Sequence, residues 1–262
     1  MNPEGRSAIV TGGAGGLGAA TVDRLVALGM TVVVLDRAAP AAGDVDGDRV
    51  VAVTGDINDD ADVGTAIDLA RARGTLSVLV NVAGGAVGGG RLVGDGGRPH
   101  DMAAFRRSIE VNLFGTFNVA RLVTAAMADN EPDAEGERGV VVNTASIAGI
   151  EGQSGQLAYG AAKAAILGMT LPMARDLAPL GIRVCAIAPG PMGTPALLQV
   201  MDQLPEDPTT GIVFPPRLGR PDEFAQLVES VVRNRYLNGE NIRLDGALRL
   251  GFDTRSEPDE RR

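Results

Sequence analysis

The sequence predicts an α/β fold: a doubly wound parallel sheet of about seven strands with helices on both faces. Three observations predict it. Strand-like and helix-like segments alternate along the 262 residues. The strand-like segments are short, continuous apolar runs, as strands covered on both faces require. No internal repeat and no linker-like stretch breaks the alternation, so residues 1–262 read as one domain, with a charged tail over 255–262 expected to be disordered.

The elements follow in order. Ser7 to Val10 is the first apolar run, and it enters the turn Thr11-Gly12-Gly13-Ala14-Gly15-Gly16-Leu17-Gly18. Ala19 to Leu28 has helical spacing, and Gly29 is a good stop. Thr31 to Leu35 is rich in β-branched residues and ends at Asp36. Val50 to Val53 ends near Asp56, and Asp59 to Arg73 reads as an amphipathic helix. Leu76 to Val80 is a strand ending at Asn81. Gly84 to Pro99 is glycine-rich without periodicity, a length of loop that is functional or disordered. Asp101 to Met127 reads as one or two helices, Asn130 to Gly139 as a polar loop, and Val140 to Asn143 as a strand leading to Thr144-Ala145-Ser146. Leu157 to Leu177 is a helix in which Pro172 should kink or break the late part. Ile182 to Ile187 is the sixth strand, followed by Pro189-Gly190-Pro191. Thr194 to Pro221 mixes short helices and turns, Asp222 to Asn234 is a helix, and Ile242 to Leu244 is the last strand.

Composition excludes several classes. A net charge of -9 argues against nucleic acid as a partner. Aromatics make up 3% and Trp is absent, so the core must be aliphatic. The single cysteine, Cys185, sits in a strand-like apolar run and reads as a buried inert thiol. One cysteine cannot form a disulfide within the chain, which fits a reducing compartment. No signal peptide and no apolar run of membrane-spanning length are found, so the expectation is a cytoplasmic protein without a membrane partner. No cluster of His, Cys and acids suggests a metal. His100, the only histidine, reads as a loop or helix-start residue.

Two stretches carry chemistry. The glycine-rich turn follows a strand and opens a helix, where backbone can approach a pyrophosphate at the positive helix end. Asp36 ends the second strand, where an acid takes the ribose hydroxyls of NAD and repels the extra phosphate of NADP. Arg37 follows directly and could bind that phosphate, so NADP is disfavoured rather than excluded. The second stretch is Tyr159-Gly-Ala-Ala-Lys163. Its spacing puts phenol and ammonium on one helix face, one turn apart. An ammonium there should lower the phenol's pKa, and the pair could move a proton between an alcohol and a carbonyl.

Thr11-Gly12-x-x-x-Gly16-x-Gly18, Asn81-x-Ala83-Gly84, Asn112, Ser146 and Tyr159-x-x-x-Lys163 resemble the short-chain dehydrogenase/reductase family, over about residues 7–249. The resemblance implies a Rossmann-type fold of strand order 3-2-1-4-5-6-7 and a catalytic tetrad of Asn112, Ser146, Tyr159 and Lys163. Ser146 would hold the substrate oxygen, Tyr159 would move the proton, and Lys163 would tune it and bind the nicotinamide ribose. Asn112 would lie in a bent helix whose freed carbonyl holds a relay water. Cofactor contacts would come from Gly12, Gly15, Gly16, Leu17, Gly18, Asp36, Asp56, Ile57, Asn81, Ala83, Gly84, Pro189, Gly190, Met192 and Thr194, together with Tyr159 and Lys163. Substrate contacts would come from Ser146, Tyr159 and Gln156.

Further stretches narrow the likeness: Glu151-Gly152-Gln153-x-Gly155-Gln156, Phe214-Pro215-x-Arg217-Leu218-Gly219, and Asn238-Gly239-Glu240-x-Ile242-Arg243-Leu244-Asp245-Gly246-Ala247. They resemble the branch of NAD-dependent, homotetrameric enzymes that act on 3-hydroxyacyl-CoA thioesters and, more slowly, on steroids. The loop after Gly84 departs from that branch: it is glycine-rich, with Arg91 and Arg98 as candidate CoA contacts. The cleft should be apolar, lined by residues such as Val87, Leu92, Met192, Leu198, Leu204 and Phe214. Alternatives are a hydroxysteroid dehydrogenase, a 3-oxoacyl-carrier-protein reductase, and an NAD-binding sensor or scaffold without turnover.

Overall fold

The computed structural model describes residues 1–38, 49–201 and 207–250. The predicted charged tail, and Leu204, lie outside the described residues. The seven strands are β1 Arg6–Thr11, β2 Thr31–Asp36, β3 Val50–Thr54, β4 Thr75–Asn81, β5 Gly139–Thr144, β6 Ile182–Pro189 and β7 Asn241–Leu244. They form one sheet in the order β3-β2-β1-β4-β5-β6-β7, and every pairing is parallel. The order reverses between β1 and β4, so their carboxyl ends open a crevice there, the place where such sheets bind ligands.

The helices are α1 Gly16–Ala27, α2 Asp60–Arg71, α3 Met102–Ile109, α4 Gly115–Ala128, α5 Leu157–Leu177, α6 Pro195–Val200 and α7 Pro221–Arg233. Alternate strand residues feed two aliphatic cores. On one face, Val10, Val34, Val80, Val142 and Ile187 pack with Leu25 of α1 and Phe224 and Val228 of α7. On the other, Ile9, Leu35, Leu79, Val141 and Val184 pack with Val63 and Ile67 of α2 and Val119 and Val123 of α4. Burial on both faces is why the strands read as unbroken apolar runs.

The stretch from α3 to α4 is one rod interrupted by a π turn over Glu110–Phe114, with Asn112 inside it. Asparagine is a poor helix former and bonds to nearby backbone instead. Here Asn112 Nδ2 donates to Ser108 O at 3.0 Å, and Thr116 Oγ1 donates to Asn112 O at 2.8 Å.

Two expectations are corrected. Helix α5 runs unbroken through Pro172. Pro172 is exposed, and the residue four before it is Gly168, with open space on its side-chain position. The carbonyl that loses its donor can therefore turn to water, while Ile166, Thr170 and Ala174 stay buried on the opposite face. The stretches Met102–Ala128 and Leu157–Leu180 are also each long and apolar enough to span a membrane by length and composition. Their apolarity has a packing cause: Val119, Ala120, Val123 and Met127 of the first and Ile166 and Ala174 of the second are buried in this fold.

Candidate active site

The turn from β1 to α1 builds the first half of the site. At Gly12 a Cβ would stand 2.7 Å from Ala83 N, and at Gly18 one would stand 2.0 Å from Gly12 O. Only glycine permits these approaches of backbone to backbone. Thr11 Oγ1 accepts the N–H groups of Val82 and Ala83 at 3.1 and 3.2 Å, which ties the 81–84 segment beside the turn. Helix α1 begins without a side-chain cap and without an acid in its first turn. A Cβ at Gly15 would meet nothing within 4 Å, while at Gly16 it would lie 3.2 Å from Thr194 Cγ2. Thr194 therefore overhangs an open, positive helix end. That cradle fits a pyrophosphate.

Asp36 stands at the end of β2 and accepts from Ala14 N and Ala38 N, both at 3.0 Å. Arg37 pairs with Asp56. The Asn58 N–H, then that guanidinium, hold the Asp56 carboxyl below the usual range against the opposing effect of burial. Ile57 is buried; a Cβ at Gly115 would lie 2.3 Å from its Cδ1, and its carbonyl accepts Asn118 Nδ2 at 3.0 Å. The structure thus places a glycine cradle at Gly15–Leu17 and the Asp36 carboxylate at the end of the neighbouring strand β2.

The second half gathers where β4, β5 and α5 meet. Ser146 follows β5; its Oγ accepts Ala148 N at 3.1 Å and caps the 3-10 turn Ile147–Gly149. That turn is pressed on α5: a Cβ at Gly149 would lie 2.7 Å from Ala164 N, and one at Gly160 would lie 3.0 Å from Ala148 O. The Ser146 hydroxyl consequently faces the Tyr159 phenol. Lys163, 3% exposed, donates from Nζ to Thr144 O at 2.8 Å and sits 5.7 Å from the Tyr159 ring centroid. A Cβ at Gly84 would lie 2.7 Å from Asn112 Oδ1 and 3.7 Å from Lys163 Nζ. The fold therefore brings Asn112, Ser146, Tyr159 and Lys163 to one place, with Gly84 between the amide and the ammonium.

Burial dominates the electrostatics. It pulls the Lys163 ammonium down to about 8. It pushes the Tyr159 phenol up, an effect that Ser146 partly offsets. The expected lowering of Tyr159 by Lys163 is thus reversed: burial raises the phenol, and the Ser146 hydroxyl only partly offsets it.

The remaining residues fall less evenly. Asn81 is buried, and its amide is engaged by Asn143 Oδ1 at 3.0 Å and Thr116 O at 3.4 Å, so toward a ligand it offers backbone. Met192 is likewise turned into the core, with its Sδ 2.5 Å from where a Gly219 Cβ would stand. Gly190, after Pro189, abuts Asp245 at 2.9 Å by the same measure. Gln156 precedes α5, and its buried Oε1 has no partner among the described residues. Gly90 bridges to Gln156 and donates to Gly155 O at 2.8 Å, so loops 84–99 and 151–156 run side by side. Val87, Leu92, Val93, Leu198 and Phe214 are exposed apolar residues on the three segments expected to surround the cleft. Arg91 and Arg98 are exposed; Arg98 Nε reaches Asp95 O at 3.3 Å. His100 packs edge-on to Phe105, and Cys185 is buried with its thiol pushed up by burial. Thr11, Thr116, Asn143 and Thr144, which hold this site together, were not assigned roles from sequence. The available signal was polar residues closing two adjacent buried strands, Asn81 on β4 and Asn143-Thr144 on β5.

Comparison with known proteins agrees with this geometry. Residues 6–205 match the family model for short chain dehydrogenase. The chain is 48% identical over 251 residues to a human 3-hydroxyacyl-CoA dehydrogenase type-2, covering 94% of this chain and 96% of that protein. It superposes on the crystal structure of 3-hydroxyacyl-CoA dehydrogenase type-2 from Mycobacterium avium with a TM-score of 0.89 at 46% identity, over 96% and 99% of the two chains. It also superposes on a 3-ketoacyl-(acyl-carrier-protein) reductase from Brucella melitensis complexed with NADH, with a TM-score of 0.81 at 28% identity, over 94% and 98%.

Proposed function

The chain belongs to the short-chain dehydrogenase family, and from that membership we propose that it is an NAD-dependent enzyme interconverting 3-hydroxyacyl-CoA and 3-oxoacyl-CoA. The observation that carries the chemistry is Tyr159 packed beside the Ser146–Gly149 turn, with the Lys163 ammonium 5.7 Å from its ring centroid, at the carboxyl end of the sheet. The near full-length likeness to 3-hydroxyacyl-CoA dehydrogenases supports the substrate class.

A nicotinamide dinucleotide held on the Gly15–Leu17 cradle would supply the hydride donor or acceptor. The protein's residues handle the proton. With its pKa raised by burial, Tyr159 holds its proton at neutral pH and donates it to the carbonyl oxygen during reduction; oxidation runs the same transfer backward. Ser146 donates a hydrogen bond to the same oxygen. Lys163 is mostly protonated below about 8 and stabilises the phenolate that forms. Asn112 accepts Gly85 N and donates to Gly85 O, both at 3.0 Å, and so fixes the start of the loop that follows β4.

Asp36 at the ribose position supports NAD over NADP, and Arg37, engaged by Asp56, is drawn away from a 2′-phosphate. Arg91 and Arg98 lie near the apolar mouth and are the cations proposed for CoA phosphates. The exposed apolar residues Phe114, Phe117 and Leu171 on the helices favour a homotetramer, and one buried cysteine with an acidic surface favours a cytoplasmic setting. The test is a turnover panel with NADH: acetoacetyl-CoA, a 3-ketosteroid and a 3-oxoacyl carrier protein. The proposal expects acetoacetyl-CoA to give the highest kcat/KM; preference for either of the others rejects the substrate assignment.

A further inference from the structure

Arg243, far from Tyr159 in the chain, joins segments that border the cleft, and the exposed Arg249 lies beside it, 3.8 Å from Glu151 Oε1 and 3.3 Å from Asp245 Oδ2. Arg243 lies in β7, partly buried. It donates to Glu151 Oε1 at 2.6 Å, to Asp245 Oδ2 at 2.7 Å and to Leu248 O at 2.7 Å. Leu250 N donates to the second Glu151 oxygen at 2.9 Å. The partners belong to two segments: Glu151 to the loop before α5, and Asp245 and Leu248 to the turn after β7. Glu151 opens the 151–156 loop, which begins just after the Ser146 turn and ends at Gln156. Asp245 abuts Gly190, whose N–H donates to Leu244 O at 2.9 Å. The turn after Asp245 accepts two more donors: Gly246 O takes Val213 N at 3.0 Å and Phe214 N at 3.2 Å. In that turn Ala247 holds a φ of 62°, the positive-φ non-glycine residue among the described residues. Such a conformation persists only where the surroundings over-determine it.

We propose that Arg243 and Glu151 form a positioning pair that sets the 151–156 loop against the 213–214 segment and thereby determines affinity for the acyl-CoA, not the proton chemistry. The rigid planar fork of arginine holds two acids and a carbonyl in a fixed arrangement, which the compact, rotating ammonium of lysine does not. Neither residue touches Tyr159, Lys163 or the glycine cradle. Loss of the pair lets the two walls move independently, and ordering them again when the acyl-CoA binds costs affinity. This inference rests on the acyl-CoA reading above.

The experiment compares wild type with Glu151→Gln, Arg243→Gln and Arg243→Lys, using acetoacetyl-CoA with NADH and, separately, amide hydrogen exchange. Glu151→Gln and Arg243→Gln are each expected to raise the KM for acetoacetyl-CoA roughly tenfold, with kcat within about threefold and the KM for NADH within about twofold. Arg243→Lys keeps one charge contact and should recover part of the loss. Exchange over 151–156 and 213–214 should quicken roughly tenfold in both glutamine variants, with β1 and β4 unchanged. An unchanged acetoacetyl-CoA KM overturns the proposal. So does a parallel loss of kcat, NADH affinity and protection throughout the sheet, which would mark a merely structural pair. Should wild type fail to turn over any acyl-CoA, the functional reading falls. The exchange data then decide the pair alone: quickening in both segments upholds the coupling, and quickening in one or neither rejects it.

Discussion

Replacing Lys163 by Met should stabilise the chain while abolishing turnover. Lys163 is buried, with Thr144 O at 2.8 Å as its one acceptor among the described residues. Burial takes its pKa from 10.5 to about 8. At about 1.4 kcal/mol per pH unit, the buried ammonium costs roughly 3 kcal/mol near neutrality. Methionine is of similar length and removes the charge, but it leaves the Thr144 carbonyl without its donor, at roughly 1–3 kcal/mol. The net gain near pH 7 is therefore roughly 0–2 kcal/mol. The pH dependence is the sharper signature, and its sign follows from the two pKa values. Below about 8 both folded and unfolded chains carry the proton, and the full cost is present. Between about 8 and 10.5 the unfolded chain holds a proton that the folded chain lacks, so raising the pH favours the folded state. The wild-type protein should thus gain roughly 2 kcal/mol relative to Lys163→Met between about pH 7 and about pH 9.5. Urea titrations of both proteins at equal concentration, at the two pH values, measure it. A stability difference that does not change with pH would refute the reasoning, because it would mean that burial does not lower the pKa of Lys163 in the folded chain.

Other outcomes follow from the same geometry. Because burial raises the Tyr159 pKa, alcohol oxidation, which needs the phenolate, should climb from neutral into alkaline pH, and ketone reduction should decline there; oxidation that peaks near pH 6 would contradict this. Asp36→Ala removes the carboxylate that opposes a 2′-phosphate and should narrow the NAD-over-NADP preference by roughly tenfold, about 1.4 kcal/mol, in kcat/KM measured with each cofactor. Light scattering at micromolar concentration should report a tetramer mass, and a monomer mass would remove the proposed role of the Phe114, Phe117 and Leu171 face.

The layout of the sheet was legible because strands buried on both faces leave unbroken apolar runs, and glycines were needed wherever one backbone touches another. Gly18 is readable for that reason, since its crowding comes from Gly12 and Gly13 of its own turn, whereas the backbone that crowds Gly12 is the distant Ala83. Asn112 was legible as a residue at odds with its helix, and the π turn is how the helix accommodates it. Pro172 misled because the rule that proline breaks helices assumes a freed carbonyl with nowhere to go, and the exposed Gly168 gives it water. The Tyr159 pKa misled because spacing reports which charge is near but not how dry the site is. The Arg243–Glu151 pair was out of reach altogether, since its members are 92 residues apart and meet only once the sheet has closed β7 against β6.

The most direct test of the account is the Tyr159→Phe variant, assayed with acetoacetyl-CoA and NADH beside an NADH binding isotherm. The phenyl ring keeps the packing of the first turns of α5 and removes only the hydroxyl that faces Ser146. Turnover should fall by at least about 100-fold, the range expected when a general acid is removed, while the NADH dissociation constant stays within about twofold. A variant that binds NADH normally and turns over at close to the wild-type rate would contradict the claim that the Tyr159 phenol carries the proton.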